Sequence, residues 1–399
     1  QITLRVYSKE SGGYVAENSA GHEVVIYGYK KRKHADTLFL DRPVRVGVSN
    51  WRHNRSEIIT ADDLSEVYYR MDDIGFRGVA DVSDRPIPRP YSPRLSLSAN
   101  MKSGFPTFIK KEKNLLRIEK GEHLVNELIY IPSGKKLIIE AGAMLTLGAG
   151  GGIISESSVS FAGNSREQIV IKADSKNNHG ITVLNAASEL DNVRFEGLNR
   201  LSYKGWELTG SVNFYECDVI MQNCTISNSR SEDALNIIRS EFELQSCHIA
   251  NSRSDGFDSD FSHGTISNCS FKDIGNDAVD FSGSKVDIVE CVMTEVGDKA
   301  ISAGEESTVS IRQVEIDGAV IGIAAKDRSH ASLADANISH CDYGYVAYTK
   351  KSEYGGATIE VSNVELKHVK NESDIELNST LILDSLKISG TDYSSVSKY

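Results

Sequence analysis

The chain has 399 residues, 40% of them hydrophobic and 25% charged, the composition of an ordinary folded protein long enough for two or three domains. Its formal net charge of −12 argues against a nucleic-acid partner, which asks for a basic stripe, and against an anionic membrane surface. No stretch approaches the roughly 18 apolar residues of a spanning helix, and the residues after Gln1 form no basic-then-apolar signal segment, so membrane insertion is not expected.

Residues 1–83 read as a small β-rich domain. The runs "ITLRVYS", "EVVIYGY", "TLFLD" and "VRVGVSN" alternate apolar with polar residues, the period of a half-buried strand. The run "ADDLSEVYYRM" is expected to form one short helix. No recognisable chemistry lies here, so a packing or interaction module is expected, and a protein partner would dock through it. Four of the seven prolines fall in "DRPIPRPYSP", an extended linker that opens a segment covering residues 84–117. After Pro132 there is no proline, as expected where dense strand ladders need every backbone donor.

Residues 118–399 repeat. The segments "DALNII", "DGFDSD", "DAVDFS", "KAISAG", "IGIAAK" and "YGYVAY" follow one another at steps of 22 residues, a period of solenoids. Short strands and Gly/Asn/Asp/Ser turns, with no helical period, predict an all-β fold, a parallel β-helix with one coil per repeat. Cys224, Cys247, Cys269 and Cys291 recur at steps of 23, 22 and 22 and are expected to stack inward as free thiols, since in-register strands lie slightly too far apart for a disulfide. The run "NRLSYKGWELTG" reads as an insertion in an early coil. Beyond about Lys350 the pattern is lost, and these last residues are expected to cap the open end.

Alternation along each repeat assigns faces. Leu235, Ile237, Phe257, Val279, Phe281, Ile301, Ala303, Ile323 and Ala325 are expected inside. One outward column runs Asn236, Asp258, Asp280, Ser302, Ala324, Val346. A second runs Ile238, Asp260, Ser282, Gly304, Lys326, Tyr348. A corner column runs Asp233, Asp255, Asp277, Lys299, Ile321, Tyr343. Asp258 and Asp280 should lie about one strand spacing apart, about 5 Å, where two full charges repel by about 3 kcal/mol at an effective dielectric near 20. A bound cation, a shared proton or a neighbouring base would relieve this. Asp is depleted in mid-strand, so Asp258, Asp260 and Asp280 are the catalytic candidates, and with calcium present they are the metal ligands. The corner residues Asp255 and Asp277 are expected first to shape turns, and to contact substrate second. Lys299 and Lys326 are the basic candidates. Asn236, Arg239, His263 and Trp206 are candidate substrate contacts, with Tyr203 and Trp206 either stacking a sugar or pinning the insertion.

These coils resemble the right-handed parallel β-helix superfamily of pectate lyases and polygalacturonases. "RSDGFD", "GNDAVD", "GDKAIS" and "GIAAKD" stand where polygalacturonase-type hydrolases carry Asn-Thr-Asp, Asp-Asp, Gly-His-Gly and Arg-Ile-Lys. The resemblance carries catalytic or binding roles to Asp255, Asp277 and Lys326, while Asn276, Asp298-Lys299 and Ala324 depart from the pattern. The run "YKGWELTGSVNFYECDV…EDALNIIRSEFE…SDGFDSDF" is similar to bacterial β-helix proteins that accompany spore-coat-kinase-like proteins. The resemblance implies action on an extracellular or cell-surface polysaccharide, a uronate-rich one among the candidates. The first expectation is glycoside hydrolysis by an Asp pair on adjacent coils, without a cofactor. The alternatives are a calcium-dependent lyase with a lysine base, and a non-catalytic glycan-binding or structural surface protein. A secreted or surface location is expected with either, any leader having been removed.

Overall fold

Each coil of the solenoid is three short strands joined by tight corners. Glu241–Gln245, His248–Ser252 and Asp255–Asp260 make one coil, and His263–Ser267, Ser270–Ile274 and Val279–Ser282 make the next. Equivalent strands pair in parallel, Glu241 opposite His263, His248 opposite Ser270 and Asp258 opposite Asp280. The stack runs for about 12 turns of about 22 residues. One face is an eleven-stranded sheet from Leu128–Ile131 to Asn371–Ile375; the strands of the other two faces join in a 23-stranded sheet. The all-β parallel solenoid expected from the repeat is borne out.

The computed structural model describes residues 4–8, 14–18, 23–32, 36–46, 56–59, 63–72 and 76–83, then 105–203 and 206–391. The chain divides into two compact units, Gln1–Asn100 and Met101–Tyr399. The proline-rich run that opens at Asp84 lies outside the described residues.

Inside the solenoid the predicted inward residues are all buried, with Phe257 edge-on to both Phe242 and Phe281 at 5.3 and 6.1 Å. All six cysteines are buried free thiols. In the ladder, Cys269 Sγ accepts the Cys247 N–H at 3.3 Å. A second ladder is made of serines. Ser262 accepts the N–H of Ser240, Ser284 that of Ser262, Ser307 that of Ser284 and Ser329 that of Ser307, at 3.0 to 3.1 Å. Each hydroxyl thereby satisfies a buried backbone donor that a corner would otherwise strand. Cys217 takes the position before Ser240 and donates its N–H to that hydroxyl at 2.8 Å.

Both ends of the 23-stranded sheet finish in antiparallel hairpins, Ile109–Glu112 with Leu115–Ile118 and Thr380–Leu383 with Leu386–Ser389, which covers strand edges that would otherwise pair with other chains. The expected change after Lys350 is corrected: Thr358–Lys367 and Asn371–Ile375 keep the parallel register with His330–Ser339 and Tyr343–Tyr348. A longer corner between Tyr348 and Thr358 breaks the spacing in sequence without breaking the stack.

The first unit is a seven-stranded sheet. The short helix expected near Leu64 is a strand, Leu64–Met71, paired on both sides with Val24–Lys31 and Phe76–Ser83. Leu64 and Val67 imitate a helical spacing, but Val67-Tyr68-Tyr69 is β-branched and aromatic, and Leu64, Val67, Tyr69 and Met71 are buried. The Leu64 N–H is held by the Tyr14 hydroxyl at 3.0 Å. "TLFLD" and the start of "VRVGVSN" form one strand, Thr37–Val46, at the sheet edge, where Pro43 costs no ladder bond.

Candidate functional site

Outside the eleven-stranded sheet the three columns stand in register. Asn236, Asp258, Asp280, Ser302, Ala324 and Val346 are successive partners, as are Ile238, Asp260, Ser282 and Gly304, with Lys326 beside Tyr348. Asp233 pairs with Asp255 at the corner, and Asp277 follows one coil on. The face is acidic over the coils of Asp233, Asp255 and Asp277. It then turns apolar, where Ile321, Ala324, Val346 and Tyr348 form an outward cluster with Val320 and Tyr343.

Each acid meets the crowding differently. Asp255 Oδ1 accepts the Asn276 amide at 2.6 Å and the Asp277 N–H at 3.0 Å; burial nevertheless raises its pKa. Burial pushes Asp277 up to about 7 against the pull of Lys299, with Asp280, Asp255 and Asp298 adding repulsion. Burial likewise takes Asp233 to about 7, opposed by the Thr209 hydrogen bond and reinforced by Asp255, Glu232 and Asp260. Asp258 is held well above the carboxylate range by burial, then by Asp260, Asp233, Asp280 and Asp255. Among the described residues its one hydrogen bond is from the Asn236 amide, 3.0 Å from Oδ2; the same nitrogen lies 3.3 Å from Asp233. Burial, Asp280 and Glu305 push Asp260 up to about 6 against Arg239 and Lys351.

The cations on this face are committed. Lys326 runs back over Gly304 to place Nζ 3.2 Å from Asp280 and 3.0 Å from the Ser302 hydroxyl, its side chain 4% exposed. A Cβ on Gly304 would lie 2.6 Å from Lys326 Cε, so the absent side chain is the channel that the lysine occupies. Burial alone would lower the Lys326 pKa, but Asp280, Tyr348, Asp277 and Glu305 raise it. Lys299 pairs with Asp277 at 3.5 Å and with Asp298, and its pKa is also raised, these acids outweighing burial. Arg239 hydrogen-bonds the Tyr215 hydroxyl at 2.8 Å, lies 3.9 Å from Glu216 and packs over the Tyr215 and Phe261 rings.

Asp255, Asp258, Asp260, Asp277, Asp280, Asn236, Lys299 and Lys326 thus share one face. His263 does not: it opens the next strand around the corner, exposed between Glu241 and Lys285. Trp206 pairs through its backbone with Tyr203 in a two-stranded ribbon, and its side chain lies outside the described residues. Among the described residues no three His, Cys, Asp or Glu side chains form a group that could hold a metal ion.

Three participants were not legible as candidates. Glu305 sits at the corner beyond Gly304 and accepts the Ser282 hydroxyl at 2.6 Å. Lys351 reaches it from the longer corner after Tyr348. These two outweigh burial and lower the Glu305 pKa. Phe261, 49% exposed with φ 51°, flanks Asp260 and lies over Gly283. The only sequence signals were a doublet, Glu305-Glu306, at a position held elsewhere by Arg239, Phe261 and Gly283, and a bulky residue at a left-handed corner, where such residues are uncommon.

The coils of the second unit form a right-handed parallel β-helix. Residues 233–388 match the family described as "Right handed beta helix region". No curated protein sequence matches the chain significantly. Among solved structures it is similar to the tailspike of an Acinetobacter phage, at 11% identity and TM-score 0.45, over 71% of this chain and 59% of the tailspike. It is similar to the catalytic domain of Agl-KA at 11% identity and TM-score 0.42, over 93% of this chain and 90% of that one. The periplasmic alginate epimerase AlgG shares 10% identity at TM-score 0.43, over 70% of this chain and 82% of its own.

Proposed function

We propose that the acidic face is the active site of a glycoside hydrolase, with Asp258 as acid and Asp280 as the carboxylate that attacks. The observation that carries this reading is an in-register aspartate pair on adjacent coils in unlike surroundings. Asp280 faces the Lys326 ammonium at 3.2 Å, whereas among the described residues the Asn236 amide is the one hydrogen-bond partner of Asp258, and burial and repulsion raise its pKa toward the protonated form. Two carboxyls whose environments differ in this way divide into a proton donor and a charged partner. Asp258 would protonate the glycosidic oxygen while Asp280 attacks the anomeric carbon. Water would then release the sugar, with Asp258 taking its proton. In-register strands lie about 4.8 Å apart, the short carboxylate spacing of retaining enzymes. If Asp260 is the acid instead, the longer diagonal to Asp280 would favour inversion. A polymeric glycan as substrate carries a secreted or surface location with it.

The lyase reading needs a neutral lysine near the substrate. Lys299 and Lys326 are both ion-paired with raised pKa values, which weighs against it. The competing non-catalytic reading is a face that holds glycan without turnover.

The test is reducing-end release from a panel of neutral, acidic and amine-bearing polysaccharides, with NMR of the first anomer formed. Asp258→Asn and Asp280→Asn should each lower kcat by about a hundredfold or more. Variants that keep wild-type release would overturn the assignment. Unsaturated products, seen by ultraviolet absorbance, would transfer it to a lyase, and binding without release would leave the non-catalytic role.

A further inference from the structure

Three observations at this face concern the charge of its ligand. The acids Asp233, Asp255, Asp258, Asp260, Asp277, Asp280 and Glu305 are gathered over four successive coils. The cations among them are already taken: Lys299 by Asp277 and Asp298, Lys326 by Asp280, Lys351 by Glu305, and Arg239 by Tyr215 and Glu216. Among the described residues, neither Asp258 nor Asp260 has a cation within ion-pair distance. Finally, Asn236, 1% exposed, gives its amide nitrogen to Asp233 and Asp258, while its buried Oδ1 has no donor. A buried acceptor without a donor is costly, and its place inside the cluster asks for a donor there.

A uronate polymer would bring more carboxylates to a face whose Lys299, Lys326, Lys351 and Arg239 are already paired. A neutral sugar would offer hydroxyl donors but leave Asp260 without a counter-charge. We propose that the face selects an amine-bearing polysaccharide. The ammonium of one sugar residue would lie against the Asp260 carboxylate, with the carbonyl oxygen of the protonated Asp258 and Asn236 Oδ1 as further acceptors. This names the substrate class of the hydrolase site above and rests on that reading for turnover, though not for binding. Phe261, half exposed beside Asp260, offers an apolar surface for the sugar ring and a π face toward the ammonium. The wall of Tyr348, Val346 and Ala324 bounds the site on the C-terminal side.

The experiment is calorimetric titration of the whole chain with a glucosamine hexamer, its fully N-acetylated counterpart and an oligogalacturonate of equal length. Each ligand is run at low and at raised salt. The glucosamine hexamer should bind at least about tenfold more tightly than either of the others, and its affinity should fall severalfold with salt. Asp260→Asn, a change at a half-buried and near-isosteric position, should remove about tenfold of that affinity, and Phe261→Ala should weaken binding without changing its salt dependence. Equal or tighter binding of the acetylated or uronate oligomer would overturn the proposal. So would glucosamine binding indifferent to Asp260→Asn, or no binding of any of the three. If neutral glycans are cleaved with no preference for amines, the substrate class falls and hydrolysis stands. If the glucosamine hexamer binds as described but no reducing ends form, the substrate class stands and hydrolysis falls.

Discussion

Substituting Gly304 tests whether the channel under Lys326 is what lets the lysine reach Asp280. Gly304 has no positive φ, so alanine fits its backbone, and relief of unfolded-chain entropy alone would stabilise by about 0.4–1 kcal/mol. The added Cβ would lie 2.6 Å from Lys326 Cε and 3.3 Å from Cγ. The methylene chain can swing aside cheaply. What it cannot keep is the 3.2 Å contact with Asp280 and the 3.0 Å contact with Ser302. Breaking a buried ion pair costs about 3–5 kcal/mol. Asp280 is 24% exposed and recovers some hydration, so about 2–3 kcal/mol is expected. The net loss for Gly304→Ala is then about 1–2 kcal/mol, a fall in Tm on the order of 2–6 °C. Gly304→Ala should cost nothing in a Lys326→Ala background, where the clash is gone. A Gly304→Ala protein that melts at or above the wild-type temperature would refute the reasoning, as would equal losses in the two backgrounds.

Raised acid pKa values make a pH prediction of definite sign. Asp233 and Asp277 titrate near 7 and Asp260 near 6 in the folded chain, against about 3.9 unfolded. The native state therefore holds protons that the unfolded state gives up above about pH 4. The stability they supply is full below that pH and lost as pH rises through 7. Thermal melts should show a higher Tm at pH 5.5 than at pH 8, and Asp277→Asn should flatten the difference; a Tm that climbs toward pH 8 contradicts this. Ser259, wholly buried between Ile237 and Phe281, has a hydroxyl with no partner, so Ser259→Ala should stabilise by about 1 kcal/mol, measured by urea unfolding. Destabilisation would mean that the hydroxyl is satisfied. Millimolar calcium should leave Tm unchanged, because among the described residues no three acidic or imidazole side chains form a group that could hold a metal ion; a calcium-dependent rise lost in Asp258→Asn/Asp280→Asn would favour the metal reading.

The columns were legible because a parallel solenoid turns sequence period into spatial register. Once the step of 22 is seen, Asp258 opposite Asp280 follows from alternation alone. The same logic could not deliver Glu305 or Lys351, which sit at corners of unequal length where no period fixes direction. Lys326 was placed in its column, but its reach across Gly304 to Asp280 depends on a side-chain path that strand spacing does not encode. The serine ladder has nearly the same period as the aspartates, but serine at a turn reads as ordinary turn chemistry. The expected helix failed for the opposite reason. Leu64 and Val67 fit a period of three, and only pairing on both sides of the strand decided for a period of two.

The two ends of the acidic face solve crowding by different means, and the seam between them explains where a ligand is needed. Toward the C-terminus the acids are met by ammoniums, Asp277 by Lys299 and Asp280 by Lys326, each lysine borrowed from a later coil. Toward the N-terminus they are met by an amide, Asn236 serving both Asp233 and Asp258. An amide donates a hydrogen bond but carries no charge, so it relieves less repulsion than an ammonium. The coil of Asp255–Asp260 lies between these regimes. Lys326 is spent on Asp280 and reaches no further, while Asn236 has no second donor for Asp260. Asp260 is therefore left with the weaker, longer-range pull of Arg239 and Lys351, at a corner where an aromatic ring, Phe261, stands half in solvent. A carboxyl in that position has two ways to lower its energy, to keep a proton or to gain a cation from outside. The first is the state proposed for Asp258 as the acid, and the second is the state that a charged substrate would give Asp260.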